Sequence, residues 1–310
     1  MQLRTDLAIE RFAALPHGEG VSRQDEQRGD IQVHRVQVHT QKAARELGKD
    51  KGRYVTLCDR RLALSDTELQ VQQELSCTLA EEIRPLLPEE GCVLAVGLGN
   101  RHITADALGS WVIEKLLVTR QLQLQLEHDA NLPFRSVCAI APGVLGITGI
   151  ETAEMVRGIV DRVRPSAVIA IDALAAREAK RICSTVQITD TGISPGSGVG
   201  NHRMGLSRET LGVPVIAVGV PMVVYASGII RDALSLLVEE AQAGEYDAER
   251  AVEGMVERVT KDALGELVVT PREVDLLLGR VASVLALGLN MALQPSLQPE
   301  DILMLVNDHL

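Results

Sequence analysis

Short apolar runs alternate with stretches of helical spacing along the middle of the chain. Five of these runs are rich in β-branched residues and mostly unbroken, which is typical of strands covered on both faces. They lie at residues 92–99, 136–143, 166–173, 184–189 and 213–221. Between or after them, the spacing predicts helices at about 105–118, 149–164, 173–182 and 222–242. This alternation predicts an open, mostly parallel α/β sheet with helices on both faces.

The two ends of the chain have different patterns. Residues 1–30 are polar with spaced glycines, which predicts a loosely ordered start. The run "IQVHRVQV" at 31–38 alternates apolar and polar residues and predicts a half-buried strand. A second short strand is predicted at 53–57, and a helix over 66–87 that Pro88 ends. The last third is predicted to be helical, at 246–264 and 271–293, with Thr270 as the N-cap of the second helix and Pro271 at its first position.

Composition narrows the class of protein. Of the 310 residues, 46% are hydrophobic but only 2% are aromatic, so Leu, Val, Ile and Ala must fill the core. The formal net charge of −11 disfavours direct binding to a nucleic-acid backbone and suits a basic protein or peptide partner. The start lacks the apolar region of a signal peptide, and no stretch has the uncharged length of a spanning helix. We therefore expect a cytoplasmic protein that does not contact a membrane.

Cysteine spacing gives no sign of a metal site or a disulfide framework. The five cysteines include no CxxC pair, and three lie in or beside strand-like runs, so we expect reduced thiols in the core. These residues are Cys58, Cys77, Cys92, Cys138 and Cys183.

Two aspartates follow strand-like runs and are the main candidates for chemistry. Asp172 ends the most apolar run, where an unpaired carboxylate is costly, and Asp106 follows the run that ends at Gly99. Each could instead cap a following helix. In open α/β sheets the working crevice lies beyond the carboxyl ends of the strands. Two carboxylates that meet there can divide the roles of acid and base.

Two glycine-rich loops lie in the same region of the predicted fold. The first contains Gly99 and Asn100, and the second is 191–203; both are candidate substrate-binding loops. The residues proposed in the second loop are Gly196, Ser197, Gly198, Gly200 and Asn201. A nucleotide-binding α/β protein is an alternative, although the Walker lysine and the third glycine of the dinucleotide fingerprint are missing. His102 and His202 could ligate a metal but lack HxxxH or HxH spacing.

Several strings resemble the germination protease family of spore-forming bacteria. They occur in order from residue 4 to about 294. They are "RTDLAIE", "GKDKGRYVTL", "VGLGNRHITADALG", "APGVLGITGIET", "AIDALAAR", "GISPGSGVGN", "TLGVPVIAVGVP" and "VTPREVD". The resemblance implies an aspartic-type endopeptidase that degrades small acid-soluble spore proteins. It further implies a homotetramer in the spore core and a zymogen that processes itself, with no cofactor required.

The resemblance also implies roles for individual residues. The family's two essential aspartates fall on Asp106 and Asp172. Its substrates are cut after an acidic residue and before an apolar residue followed by Ala, a pattern that "TDLAIE" at 5–10 matches. This predicts self-cleavage between Asp6 and Leu7, with residues 1–6 as a propeptide-like arm and 7–310 as one α/β peptidase domain.

A more distant resemblance leaves the question of a metal open. "GLGNRHITADALG" is similar to the opening of hydrogenase-maturation peptidases, with Asp106 and Asp172 at the positions of their carboxylates. It suggests a similar fold and, as an alternative function, a metal-dependent maturation peptidase. The chain also departs from the germination protease pattern at Tyr225, where an acidic residue is expected.

Overall fold

The core element is a mixed sheet, seen in a computed structural model that describes residues 5–13, 19–64, 68–125, 134–194, 204–240, 252, 254–256, 258–259 and 267–307. The strands are β1 Val21–Arg28, β2 Ile31–Val38, β3 Gly52–Cys58, β4 Val93–Gly97, β5 Val137–Ile140, β6 Ala167–Ala176, β7 Thr185–Thr189, β8 Val215–Tyr225 and β9 Val268–Val269. The helices are α1 Ala8–Ala13, α2 Gln41–Leu47, α3 Leu69–Ile83, α4 Leu108–Ile113, α5 Arg120–Gln125, α6 Leu145–Thr148, α7 Thr152–Val163, α8 Arg208–Leu211, α9 Ala226–Glu240, α10 Val274–Leu293 and α11 Pro299–Asn307.

The sheet has a parallel half and an antiparallel half. Its order is β1-β2-β3-β7-β8-β6-β4-β5, with β9 paired to the end of β8. The strands β5, β4, β6 and β8 are parallel to one another, and the remaining pairs are antiparallel. The five apolar runs of the sequence form β4 to β8. The predicted open α/β sheet and the helical C-terminal part are confirmed.

Side chains alternate between two apolar layers, one on each face of the sheet. Ile169 and Ile171 of β6, with Val218 of β8, belong to the larger layer, which packs against α3, α4 and α10. Val168 and Ala170 belong to the opposite layer, which packs against α7. Because strand residues alternate with a period of two, the even-numbered residues of β6 share this second face.

The antiparallel half begins where the sequence predicts a loose start. Residues 8–13 form α1 and residues 21–28 form β1, so that prediction is wrong over these residues. β1 is polar because it is an edge strand in which every residue is exposed or only half-buried. It pairs with β2 along its whole length, and cross-strand ion pairs support it, such as Arg35 to Glu26 at 2.7 Å.

Three predicted boundaries are wrong for identifiable reasons. The helix predicted at 173–182 is strand up to Ala176, because pairing with β8 outweighs the helical propensity of alanine. Residues 222–225 likewise extend β8, and α9 begins at Ala226. The hydroxyl of Thr270 donates to the carbonyl of Met222, and Glu273 is the N-cap of α10.

The helix α10 is the central helix of the larger core. It has the length and hydropathy of a membrane span, with 20 residues and a mean hydropathy of 1.8 over its apolar window, although Asp275 and Arg280 interrupt the uncharged stretch. However, 72% of its apolar window is buried in the fold. Its buried side chains include Leu278, Val281 and Leu285, which pack in the layer that contains α3. This burial is that of a core helix.

Candidate active site

The loop after β4 folds back so that Asp106 lies beside the loop's start. Gly99 has φ +97°, and a Cβ at this position would lie 1.9 Å from the carbonyl oxygen of Asp106, so only glycine fits. The backbone N–H of Asn100 donates to Asp106 Oδ2 at 2.8 Å. Asp106 is half-buried in a short 3-10 helix. The N-cap of α4 is Ala107, with no side-chain cap bond, so capping α4 is not the role of Asp106.

Asp172 lies within β6 and has no helix to cap. Its exposed fraction is 6%, and its register partner on β8 is Gly219. One carboxylate oxygen accepts the N–H of Ala173 at 2.9 Å. Because β6 continues to Ala176, the helix-capping alternative for Asp172 is excluded.

Both aspartates lie at the same edge of the sheet. β4 ends at Gly97, which pairs with Ile171, the residue before Asp172. The 3-10 helix that carries Asp106 lies against β6 and β8. Beyond Ile171, β6 runs on without β4, so one side of residues 172–176 is open to a different partner. The structure therefore brings both aspartates to the carboxyl ends of neighbouring parallel strands, where the crevice of an open α/β sheet lies.

The partner on that open side of β6 is Asp6. Its backbone N–H donates to the carbonyl of Ala175 at 3.0 Å, and the N–H of Ala175 donates to Asp6 Oδ2 at 2.9 Å. The β6–β8 register shifts between Leu174 and Ala175, next to Pro221. A proline and a register shift are typical of a local bulge, which turns the backbone groups of a strand. The start of the chain thus pairs with β6 three residues beyond Asp172.

Two side chains from other elements hold the carbonyl of Asp6. Lys49 Nζ donates to it at 2.8 Å and Gln187 Nε2 at 3.2 Å. Gln187 Oε1 accepts the N–H of Ala8 at 2.6 Å, so this amide spans the peptide bonds on both sides of Leu7. Burial lowers the pKa of Lys49 to about 8, and the ammonium form still predominates at neutral pH.

Apolar packing fixes the residues that come after Asp6. Leu7 is fully buried, and Ile9 is 7% exposed. Both pack against Leu174 and Ala176 on the same face of β6 as Asp172. The segment therefore covers the sheet surface next to the aspartate.

Glu10 fastens the far end of the segment. Its carboxylate accepts the N–H groups of Arg177 and Glu178, both at 2.9 Å, and lies 3.4 Å from the guanidinium of Arg181. The hydroxyl of Thr5 also donates to it. Because Glu10 is 3% exposed, these partners replace the solvation that its charge loses. Residues 5–10 are thus anchored at both ends.

The other residues predicted for the site have different outcomes. Gly99 and Asn100 lie beside Asp106. Residues 195–203 of the second glycine loop lie outside the described residues, and so does His202 among them. Its predicted site residues are Gly196, Ser197, Gly198, Gly200 and Asn201. His102 is exposed, and the described part of the chain holds no group of three or more His, Cys, Asp or Glu residues that could bind a metal.

Of the cysteines, Cys58 packs against the apolar cluster that contains Leu7 and Leu174. No disulfide joins the five cysteines; Cys183 is buried and the others are half-buried. Tyr225, the departure from the family pattern, is buried at the end of β8.

The sequence prediction missed Lys49 and Gln187. Lys49 is within a quoted family string, but nothing local distinguishes it from the neighbouring Lys51. Gln187 did carry a signal, because it is an amide in the middle of the buried run "TVQIT". A buried amide needs partners, and it finds them in Asp6 and Ala8.

Comparison with known sequences shows which class of protein this chain belongs to. A sequence model of a peptidase family matches residues 10–256, which include both aspartates. The chain is therefore a protease. The matching family is described as germination protease, and the chain belongs to it. The resemblance noted in the sequence is confirmed.

Full-length relatives agree with this family. The germination protease of Clostridium acetobutylicum is 42% identical over 327 residues, covering 98% of this chain and 99% of the relative. That of Clostridium tetani is 40% identical over 320 residues, covering 97% and 98%. That of Bacillus subtilis is 36% identical over 353 residues, covering 96% and 95%.

A solved structure also matches in part. It is a [NiFe] hydrogenase maturation protease from Thermococcus kodakarensis, 16% identical, with a TM-score of 0.28. The match covers 57% of this chain and 97% of that one. A TM-score this low carries no argument about the site.

Proposed function

We propose that the chain is an aspartic-type endopeptidase that degrades small acid-soluble spore proteins during germination. Membership of the germination protease family supports a spore protease. The observation that carries the finer proposal is the docking of the chain's own "TDLAIE" string on β6, three residues beyond Asp172. That string has the acidic–apolar–Ala order expected of a substrate.

Asp106 and Asp172 are the proposed acid and base. One carboxylate, deprotonated, takes a proton from water as the water attacks the carbonyl carbon of the peptide bond. The other, protonated, supplies a proton to the departing amine. Placement of both at one sheet edge supports this pairing. No metal is required by this scheme, so activity in the presence of a chelator is expected to be unchanged.

Self-processing between Asp6 and Leu7 is the second part of the proposal. It would remove residues 1–6 as a propeptide and leave a peptidase that begins at Leu7. The contacts of residues 5–10 support the idea, because a segment with a substrate pattern lies on the strand that carries Asp172. Extended peptides commonly bind by adding to an exposed strand edge.

Assembly and location follow the family resemblance. We propose a homotetramer in the spore core that acts on a protein partner and contacts neither DNA nor membrane. The net charge of −11 is consistent with a partner that is itself basic. Light scattering of the purified chain measures the assembly, and a mass other than four copies would contradict it.

One experiment tests the proposed activity directly. The full chain is incubated with a small acid-soluble spore protein, and the products are identified by mass. Cuts after an acidic residue and before an apolar residue followed by Ala are expected. The N-terminus of the incubated chain is sequenced in parallel and is expected to be Leu7. An intact substrate would reject the proposed function.

A further inference from the structure

We propose that Lys49 and Gln187 are catalytic residues that bind the carbonyl oxygen of the peptide bond to be cleaved. This holds for the chain's own N-terminal segment and for substrate segments of the same pattern. The inference deepens the proposed function and rests on it.

The contacts that support it converge on one oxygen atom. The carbonyl of Asp6 belongs to the Asp6–Leu7 bond, and it accepts from an ammonium group at 2.8 Å and from an amide at 3.2 Å. The donors come from separate elements, the turn between α2 and β3 for Lys49 and the strand β7 for Gln187. Two donors aimed at a reacting carbonyl are the arrangement that stabilises the negative charge formed in acyl transfer.

The position of Gln187 relative to Asp172 fits this role. Gly219 of β8 pairs with Asp172 on one side and with Gln187 on the other. The three residues form one row across three strands, so the Cα atoms of the two outer residues lie about 9.5 Å apart at the usual strand spacing. All three lie on the face opposite Ile171, Val218 and Ile188. Because the central residue is glycine, the row itself places no side chain between the amide and the carboxylate; the side chain of Leu174, which also packs against Leu7, covers Gly219.

The reaction step assigns each group one task. A water oxygen bonds to the carbonyl carbon of Asp6, and the electron pair of the C=O π bond moves to the oxygen held by Lys49 and Gln187. That electron pair then re-forms the C=O bond as the C–N bond to Leu7 breaks, and the nitrogen takes a proton from the carboxylic acid of the aspartate pair. The proton lost by the water remains on the other carboxyl group. Both aspartates are thereby free for proton transfer, because other groups polarise the carbonyl.

The chemistry of Lys49 favours catalysis over simple anchoring. A neutral donor would hold a carbonyl at a lower desolvation cost than an ammonium group does. The charged groups that act on Lys49 are Asp6, Glu10 and Arg11 of the N-terminal segment and the adjacent Asp50. A buried positive charge at this oxygen stabilises an oxyanion more strongly than it stabilises the resting peptide.

The test compares four variants of the full chain with wild type. Lys49→Met removes the charge, Lys49→Arg restores it, and Gln187→Leu removes the amide. Lys51→Met, at an exposed lysine two residues away, is the matched control. The rate of self-processing is measured, together with kcat and KM on a peptide containing Thr-Asp-Leu-Ala-Ile-Glu. Thermal melting checks the fold of each variant.

The expected result separates catalysis from binding. Loss of one oxyanion donor typically costs roughly 10²–10³-fold in kcat, so we expect that loss in Lys49→Met and in Gln187→Leu. The rise in KM should be much smaller, Lys49→Arg should recover part of the rate, and Lys51→Met should match wild type. If one of the three test variants at Lys49 and Gln187 does not fold, the other two decide the result.

Two outcomes overturn the inference, and they are distinguishable. If wild type cleaves the peptide and the folded Lys49→Met and Gln187→Leu variants keep its kcat, this inference fails while the proposed function stands. If wild type cleaves neither itself nor the peptide, the proposed function fails and the inference fails with it.

Discussion

Asp172 and Gln187 occupy the same row of the sheet, on the same face, with one strand between them. The amide of Gln187 contacts the backbone on both sides of Leu7. A peptide held by this amide therefore lies over the face that carries Asp172. This relationship links the start of the chain to a residue near its middle, and the proposed cleavage at Leu7 depends on it.

Removing either carboxylate should abolish cleavage without unfolding the protein. In Asp106→Asn and Asp172→Asn we expect kcat to fall by roughly 10²–10⁴-fold, because neither amide can exchange a proton. The Asn side-chain oxygen can still accept the N–H of Asn100 or of Ala173, so melting temperatures should change little. Peptide cleavage and melting are measured together. Asp190→Asn is the control, an exposed acid near a strand end. Activity retained in both test variants would reject the pair.

Self-processing should depend on the carboxylate of Asp6. In Asp6→Ala the N–H of Ala175 loses its acceptor, so we expect the segment to bind less well and processing to slow at least about tenfold. Mass spectrometry of the incubated chain measures the product that begins at Leu7. Asp161→Ala, at an exposed acid of α7, should process normally. Equal rates in the two variants would show that the carboxylate is not recognised.

The turn that holds Asp106 should tolerate no side chain at Gly99. Its φ of +97° and the close carbonyl of Asp106 predict that Gly99→Ala costs about 1–3 kcal/mol in free energy of unfolding and also lowers activity. Gly158→Ala is the matched control. This residue lies inside α7 with no neighbouring atom within 4 Å of the added Cβ, so stability should rise by about 0.5–1 kcal/mol. Chemical denaturation measures both, and equal effects would contradict the strained turn.

Self-processing should slow above pH 8. The pKa of Lys49 is lowered to about 8 by burial, so its charged fraction falls from about nine-tenths at pH 7 to about one-tenth at pH 9. Since the charged form is the stronger donor, the rate should fall over this range. In Lys49→Arg the guanidinium stays charged and the decline should disappear. A decline with the same midpoint in Lys49→Arg would assign it to a different group.

The parallel half of the fold could be predicted from the sequence, whereas the start of the chain could not. Runs such as "AVIAID" indicate strands because burial on both faces leaves no room for polar positions. β1 gives no such signal, because an exposed edge strand is stabilised by its pairing with β2. The local pattern at Ala175 and Ala176 predicts a helix, because the helical propensity of alanine is visible in the sequence and its strand partner is not. Their strand conformation depends on β8, which lies some forty residues later in the chain.

The candidate site likewise contains some residues that the sequence predicts and others that it does not. Asp106 and Asp172 could be proposed because a carboxylate beside a buried run needs an explanation. Lys49 could not be proposed from the sequence, because its partner is the backbone carbonyl of Asp6. Every residue has such a carbonyl, so the sequence does not distinguish it. Contacts between a side chain and a distant main chain are visible only in the folded structure.

The burial of Leu7 affects the product of a cut at its N-terminal side. In the intact chain the nitrogen of Leu7 is a neutral amide, whose N–H is accepted by the hydroxyl of Thr5 at 3.1 Å. Hydrolysis would turn it into an ammonium ion in an enclosed position, close to the positive charge of Lys49, and would detach Thr5 with the released piece. Repulsion from Lys49, together with the hydration that the new ammonium ion requires, would then move the new N-terminus out of this position. Cleavage of this one bond would thus release its own product from the site and be hard to reverse. It would also leave the edge of β6 open to the next peptide.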